Sequence, residues 1–164
     1  MSRPSKYQNL MDQARVVALR SHDAETKVGS LLVKLYSGAV VATGTNGFVR
    51  NAPDLQLPNT RPDKYALIQH SERNLMDNCL RHGISTEDTF LVCTLTPCTA
   101  CTRSLYQAGI TKVIAAEKYR DFDSIMNMPD LYVAESLTVE GFIELNYGAK
   151  IGNLGGIEPI NIKS

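Results

Sequence analysis

The feature that most narrows how this chain can fold is a set of metal-ligating residues far apart in sequence: His70, then Cys98 and Cys101 within Pro97-Cys98-Thr99-Ala100-Cys101. One imidazole and two thiolates suit Zn²⁺ and leave its fourth tetrahedral position open, as in a working metal site rather than a closed structural one. For both sulfurs to reach one ion, Cys98 belongs at a helix N-terminus with Cys101 one turn further on, where the positive end of the helix favours thiolates. Glu72, two residues after the histidine, can set a carboxylate beside the open position and move protons there. The competing assignments are a cage closed by Cys79 and a Cys-x-x-Cys redox pair. The second has no use for His70 and Glu72.

At 164 residues the chain is sized for a single domain. Seventeen basic residues balance seventeen acidic ones, so no global charge favours duplex nucleic acid, and a small phosphorylated ligand fits better. No apolar run is long enough to span a bilayer and Met1 to Leu10 does not read as a signal peptide, which predicts a cytoplasmic protein with no membrane partner. Four cysteines in such a chain point to metal or thiol chemistry rather than a disulfide framework. Cys79 and Cys93 lie in apolar patterns and read as inert core residues.

In chain order, Leu10, Met11, Ala14, Val17 and Ala18 recur at helical spacing and predict an amphipathic helix over Lys6 to Arg20. Val28 to Val33 and Ala39 to Gly44, parted by a segment with Ser37-Gly38, read as a β-hairpin. Asn51 to Asp63, rich in Pro, Asn and Asp, reads as a long loop. A helix is expected over Glu72 to Leu80, ended by Arg81-His82-Gly83, followed by a strand over Thr89 to Leu95. The cysteine-bearing helix should run to about Ala108 and stop at Gly109. Lys112 to Ala116 is a further strand, Asp121 to Met126 a short helix, and Leu131 to Tyr147 a longer helix with Val133, Leu137, Phe142, Ile143 and Leu145 on its apolar face. Gly148 to Ile151 would then be a stop and a short strand. Together these predict an α/β fold of three layers, a central mixed sheet of about five strands flanked by helices, with both metal-bearing helices starting at strand ends. The domain is set at residues 1–152, with 153–164 as a C-terminal tail.

His70-Ser71-Glu72 followed by Pro-Cys-x-x-Cys resembles the zinc-dependent cytidine and deoxycytidylate deaminase superfamily. Beyond the metal motif the chain is most similar to deoxycytidylate (dCMP) deaminases, over roughly residues 8 to 150. The similarity is carried by Thr26-Lys27-Val28-Gly29, Gly44-Thr45-Asn46-Gly47, Asp63-Lys64-Tyr65, Gln107-Ala108-Gly109-Ile110 and Glu117-Lys118-Tyr119-Arg120-Asp121. The resemblance implies the cytidine-deaminase-like fold, Zn²⁺ as cofactor, Glu72 as the catalytic group, and dCMP as a small-molecule substrate whose product, dUMP, supplies thymidylate synthesis. It implies that Asn46 and Tyr119 lie at the nucleotide, with Asn74 following the catalytic glutamate. From the residues alone, Asn46 is equally a turn-former and Tyr119 equally a core or rim aromatic. Among the cations available for a phosphate, Lys27, Arg50, Arg61, Lys64 and Arg120, the candidates singled out are Lys27 and Lys64.

Ser71 replaces the family's usual alanine and Thr96 stands where serine or phenylalanine is common, with no ligand lost. Asn51 to Asp63 holds neither cysteine nor histidine, so a second, structural zinc is not expected. A homo-oligomer and allosteric control by dCTP and dTTP follow from the resemblance, although the glycine-rich features of a triphosphate effector site are not evident. The rival readings are a deaminase of a 5-substituted or differently phosphorylated cytosine nucleotide, of a free base, nucleoside or RNA, and a zinc-stabilised nucleotide-binding protein without turnover.

Overall fold

The computed structural model describes residues 2–150. Its elements are α1 (Lys6–Ala18), β1 (Gly29–Lys34), β2 (Val40–Thr45), α2 (Ser71–His82), β3 (Thr89–Leu95), α3 (Thr99–Gln107), β4 (Lys112–Glu117), α4 (Phe122–Met126), β5 (Leu131–Leu137) and β6 (Ile143–Ala149). Two short 3-10 turns, Asp54–Gln56 and Asp63–Ala66, punctuate the expected long loop.

The strands form one sheet in the order β2-β1-β3-β4-β6-β5. β3 and β4 are parallel, joined through α3, while the other neighbours are antiparallel. The core strands explain the two-sided burial. Leu31, Val33, Phe90, Val92 and Ile114 face α1 through Leu10, Met11 and Ala14. Leu32, Leu91, Val113 and Leu145 face the opposite layer, where α2, α3 and α4 contribute Leu75, Leu105 and Ile125. Strands covered on both faces read as near-continuous apolar runs, which is why β3 and β4 were legible.

The expected helix over Leu131 to Tyr147 is instead the hairpin β5–β6, and it raises the sheet to six strands. Over a short window Val133, Leu137 and Leu145 satisfy a helical period, but Ile143, Leu145 and Tyr147 also alternate, and all three are buried. Gly141 decides between the two patterns. It adopts φ +87°, and its N–H closes a turn on the Thr138 carbonyl, while Thr138 N–H donates to Phe142. The strand expected around Gly148 to Ile151 is partly absorbed into β6, which ends at Ala149; Ile151 and the 153–164 tail lie outside the described residues.

Gly44 on β2 positions the site. A Cβ there would meet the Ser71 carbonyl oxygen and lie 2.7 Å from the backbone nitrogen of Leu75. The first turn of α2 therefore rests directly on the backbone of β2, a closeness no side chain permits. Gly44→Ala should lower stability by about 1–3 kcal/mol through overpacking, seen as an earlier urea midpoint at unchanged slope.

Candidate active site

α2 and α3 bring their N-termini together over the sheet. His70 is the N-cap of α2 in extended conformation, and Cys98 is the N-cap of α3. α3 does begin just beyond a strand end, after β3. α2 does not: it follows Gln69, which makes only an isolated two-hydrogen-bond bridge to Gly47 in the extension of β2, rather than a strand of its own.

His70 Nδ1 lies 3.4 Å from Cys98 Sγ and 3.5 Å from Cys101 Sγ, and the three donor atoms all fall within 4.8 Å of one another. With usual Zn–N and Zn–S lengths the N···S edge of a tetrahedron is about 3.5 Å, so the donor set fits zinc in both chemistry and spacing. The Cys98 thiol is pulled down to about 4, chiefly because the Cys101 thiol donates to its sulfur and because His70 lies beside it. Cys101 is pushed up, since its proton serves Cys98. The Cys98 sulfur in turn raises His70. Metal binding must displace these protons, so assembly of the site releases acid. Cys79, the alternative fourth ligand, is buried in the core and is not part of the cluster.

Glu72 is buried at 3% exposure beside the cluster, and burial pushes its carboxyl above the ordinary carboxylate range. Its Oε1 accepts a hydrogen bond from the Cys93 thiol at 3.3 Å. Cys93 itself is raised well above a free thiol, first by burial and then by the neighbouring Glu72 charge, so it stays protonated and donates.

One cavity takes in Glu72, His70 and Cys98 together with Asn46, Tyr119, Lys64, Arg61 and Arg120. Asn46 is buried, and its amide is engaged by the backbone: Val28 N–H donates to Oδ1 at 2.8 Å and Nδ2 donates to the Thr26 carbonyl at 2.8 Å. Tyr119 lines the cavity, its N–H donating to Thr96 Oγ1. Asn74 is elsewhere, donating to the Thr45 carbonyl and so tying α2 to β2. Lys27 is not among the residues lining the cavity, and its ammonium donates to the Ser21 carbonyl. Lys64 lines it but is buried and committed, with Nζ 2.9 and 2.8 Å from the two oxygens of Asp23 and 3.4 Å from Glu25. Arg61 and Arg120 line it and are exposed, and both donate to the Tyr65 hydroxyl at 2.9 Å.

The chain carries an α/β scaffold on which a His/Cys/Cys donor set lies beside a buried carboxylate at the floor of one cavity, the class of a metal-assisted hydrolytic centre. Residues 4–117 match the family model described as the cytidine and deoxycytidylate deaminase zinc-binding region, and the chain belongs to that family. It is 30% identical over 140 residues to the deoxycytidylate deaminase of Pongo abelii, covering 81% of this chain and 77% of that one. It is 34% identical over 116 residues to a probable deoxycytidylate deaminase of Drosophila melanogaster, covering 63% of this chain and only 56% of that protein's length. Among solved structures, the dCMP deaminase of cyanophage S-TIM5, in complex with dCMP and dUMP, superposes with TM-score 0.63 at 26% identity, covering 77% of this chain and 93% of that one.

Sequence reasoning missed Asp23, Tyr65 and Cys93. Nothing local pairs Asp23 with Lys64, 41 residues away. Burial alone would raise the Asp23 carboxyl, but the Lys64 ammonium and the N–H groups of Thr26 and Glu25 outweigh it and hold it below the usual range. A carboxyl that ionises more readily folded than unfolded adds stability above about pH 4, and that contribution is lost as pH falls through its lowered folded value. Asp23→Asn, which leaves the buried Lys64 ammonium with Glu25 as its one remaining carboxylate partner, should cost about 2–3 kcal/mol at neutral pH, less than the loss of a sole partner. In urea titrations across pH, the gap between the variant and the parent should narrow below about pH 4.

Proposed function

We propose that this chain hydrolyses dCMP to dUMP and ammonia, with Zn²⁺ held by His70, Cys98 and Cys101 and with Glu72 as the catalytic acid-base. The observation that carries it is a single cavity joining buried Glu72, beside the three-donor cluster, to an exposed rim with Arg61 and Arg120. The relatives named deoxycytidylate deaminases support the same substrate. Bound zinc supplies a Lewis acid that makes water nucleophilic near neutral pH. Glu72 takes the proton that water loses on attacking C4 and gives it to N3 of the pyrimidine; it then carries the proton of the new C4 hydroxyl to the 4-amino group, which leaves as ammonia as C4 becomes a carbonyl. Its burial suits a group that must both accept and return a proton near pH 7. Asn46 and Tyr119 border the nucleotide, and Arg61 and Arg120 supply the phosphate contacts. Arg120 has no carboxylate within ion-pair distance among the described residues, which leaves its charge for a phosphate. Lys64 acts from behind, and Asn74 and Lys27 support the walls.

Two cysteines serve the candidate metal site and Cys79 and Cys93 lie in the core, a use of cysteine that favours a cytoplasmic site of action over a disulfide-stapled secreted one. No helix among the described residues is long and apolar enough to cross a membrane. Exposed Leu137 and Val139 at the β5–β6 turn give a homo-oligomer apolar surface to bury. dCTP and dTTP are candidate effectors on the family's account alone, and residues 1–152 are the proposed catalytic domain.

Ultraviolet-monitored turnover of dCMP beside deoxycytidine, cytosine, CMP, dCTP and 5-substituted dCMP tests the reading, with dCTP or dTTP added in parallel. dCMP should be preferred, and Glu72→Ala should lose about 10²–10⁴ in kcat while keeping its metal. Failure of the whole panel with zinc bound would sink it. Arg120→Ala should raise KM for dCMP at least tenfold and leave deoxycytidine turnover nearly unchanged, about the worth of one charge-assisted phosphate contact. By metal analysis, Cys98→Ala should lose zinc and unfold more easily, and full occupancy in that variant would refute the ligand set.

A further inference from the structure

Ser30 on β1 and Cys93 on β3 stand directly opposite one another in the antiparallel ladder. Directly opposed residues share a sheet face, and this is the face covered by α2. Each hydrogen-bonds one of the first two residues of that helix. Ser30 Oγ lies 2.7 Å from Ser71 Oγ, which also donates to the Gly44 carbonyl at 3.0 Å, and Cys93 Sγ donates to Glu72 Oε1 at 3.3 Å. All four side chains are buried, and the residues around Cys93 on this face, Leu32, Leu91 and Ala115, are apolar. Ser30 and Cys93 thus form a small polar seat directly under the turn that carries the acid-base, in a floor that is otherwise apolar except for the buried Tyr147 hydroxyl. The terminal torsion of a glutamate is broad and two-fold, so a buried carboxylate without a partner samples several planes. A donor fixed on a central strand removes that freedom.

We propose that Cys93 is a positioning residue for the deamination: its thiol holds Oε1 of Glu72 so that Oε2 faces the cavity and carries the proton. The inference rests on Glu72 being the acid-base, as in the function proposed above. It does not extend to the packing role of Cys93, which any small apolar residue fills. Valine suits a buried strand at least as well, whereas serine keeps a donor but is costly in an apolar core. Stability and catalysis therefore rank the variants in opposite orders.

The experiment uses the zinc-loaded full chain with Cys93→Val, Cys93→Ala and Cys93→Ser, measuring kcat and KM for dCMP beside thermal midpoints. Cys93→Val and Cys93→Ala should each lose about tenfold in kcat with KM unchanged, the scale of one hydrogen bond to a charged group. Cys93→Ser should stay within about threefold of the parent kcat although it is the less stable protein. Parent-like kcat in Val and Ala overturns the proposal, as does activity that follows the melting order. An infrared readout is independent of turnover. With Cys98 and Cys101 committed to the metal, the S–H stretching region belongs to Cys79 and Cys93. The Cys93 band should lie below that of Cys79, vanish in Cys93→Val, and move to the free-thiol position in Glu72→Ala. A Cys93 band already at the free position refutes the contact. A parent enzyme that leaves dCMP untouched would instead remove the substrate reading, while the infrared arm still decides whether the thiol holds Glu72.

Discussion

The first turn of α2 can lie against the sheet only because Gly44 has no side chain, and nearly everything at the site follows from that approach. It sets His70 at the helix N-cap, within sulfur distance of Cys98 and Cys101. It sinks Glu72 below the surface, where desolvation raises its carboxyl. Shift the helix outward by a methyl group and the imidazole, the carboxylate and the cavity wall all move together, since they sit on consecutive residues. The two helix N-termini then contribute in the same direction, each presenting its positive end to a cluster that is rich in negative sulfur.

The cavity built around that turn is graded in polarity. Its deep end is buried and holds the Glu72 carboxyl, and its rim is exposed and cationic. Chemistry that must stabilise developing charge gains most where water is excluded, whereas a dianionic handle is recognised well by exposed guanidinium groups that keep part of their hydration. Between the ends runs a buried network in which Lys64 grips Asp23, Asp23 takes the N–H groups of Glu25 and Thr26, and Asn46 ties Thr26 to Val28. This network joins the segment before β1 to the loop after β2. The two flanks of the cavity are consequently one piece, although they come from distant stretches of chain.

How much of this was legible beforehand depended on how local the physics was. That His70, Cys98 and Cys101 gather in one cluster was legible because metal ligation prescribes residue types and, for the two cysteines, a short spacing; Glu72 lies beside them because it follows His70 by two residues. α1, α2, α3 and the β1–β2 hairpin were readable because periodicity and glycine stops act within a few residues. Lys64 shows the limit. Its sequence setting suggested a free cation for a ligand, yet the fold spends that charge on Asp23, a partnership that only tertiary structure defines. Cys93 shows the same limit from the other side, since an apolar context hid a polar contact to Glu72. The β5–β6 hairpin was misread because two periodicities overlap in Leu131 to Tyr147, and the stretch that matches the family model, residues 4–117, stops before this region.

That hairpin closes the sheet with β5, whose outer side has no strand partner among the described residues. A strand reading Leu-Tyr-Val-Ala-Glu-Ser-Leu, with its backbone unpaired on one side, is a template on which another extended chain can add. Its middle, however, carries Glu135, paired with Lys118 at 3.0 Å across the top of the sheet. A charged side chain near the middle of an exposed edge disfavours such pairing, because a further strand laid against it must desolvate the charge.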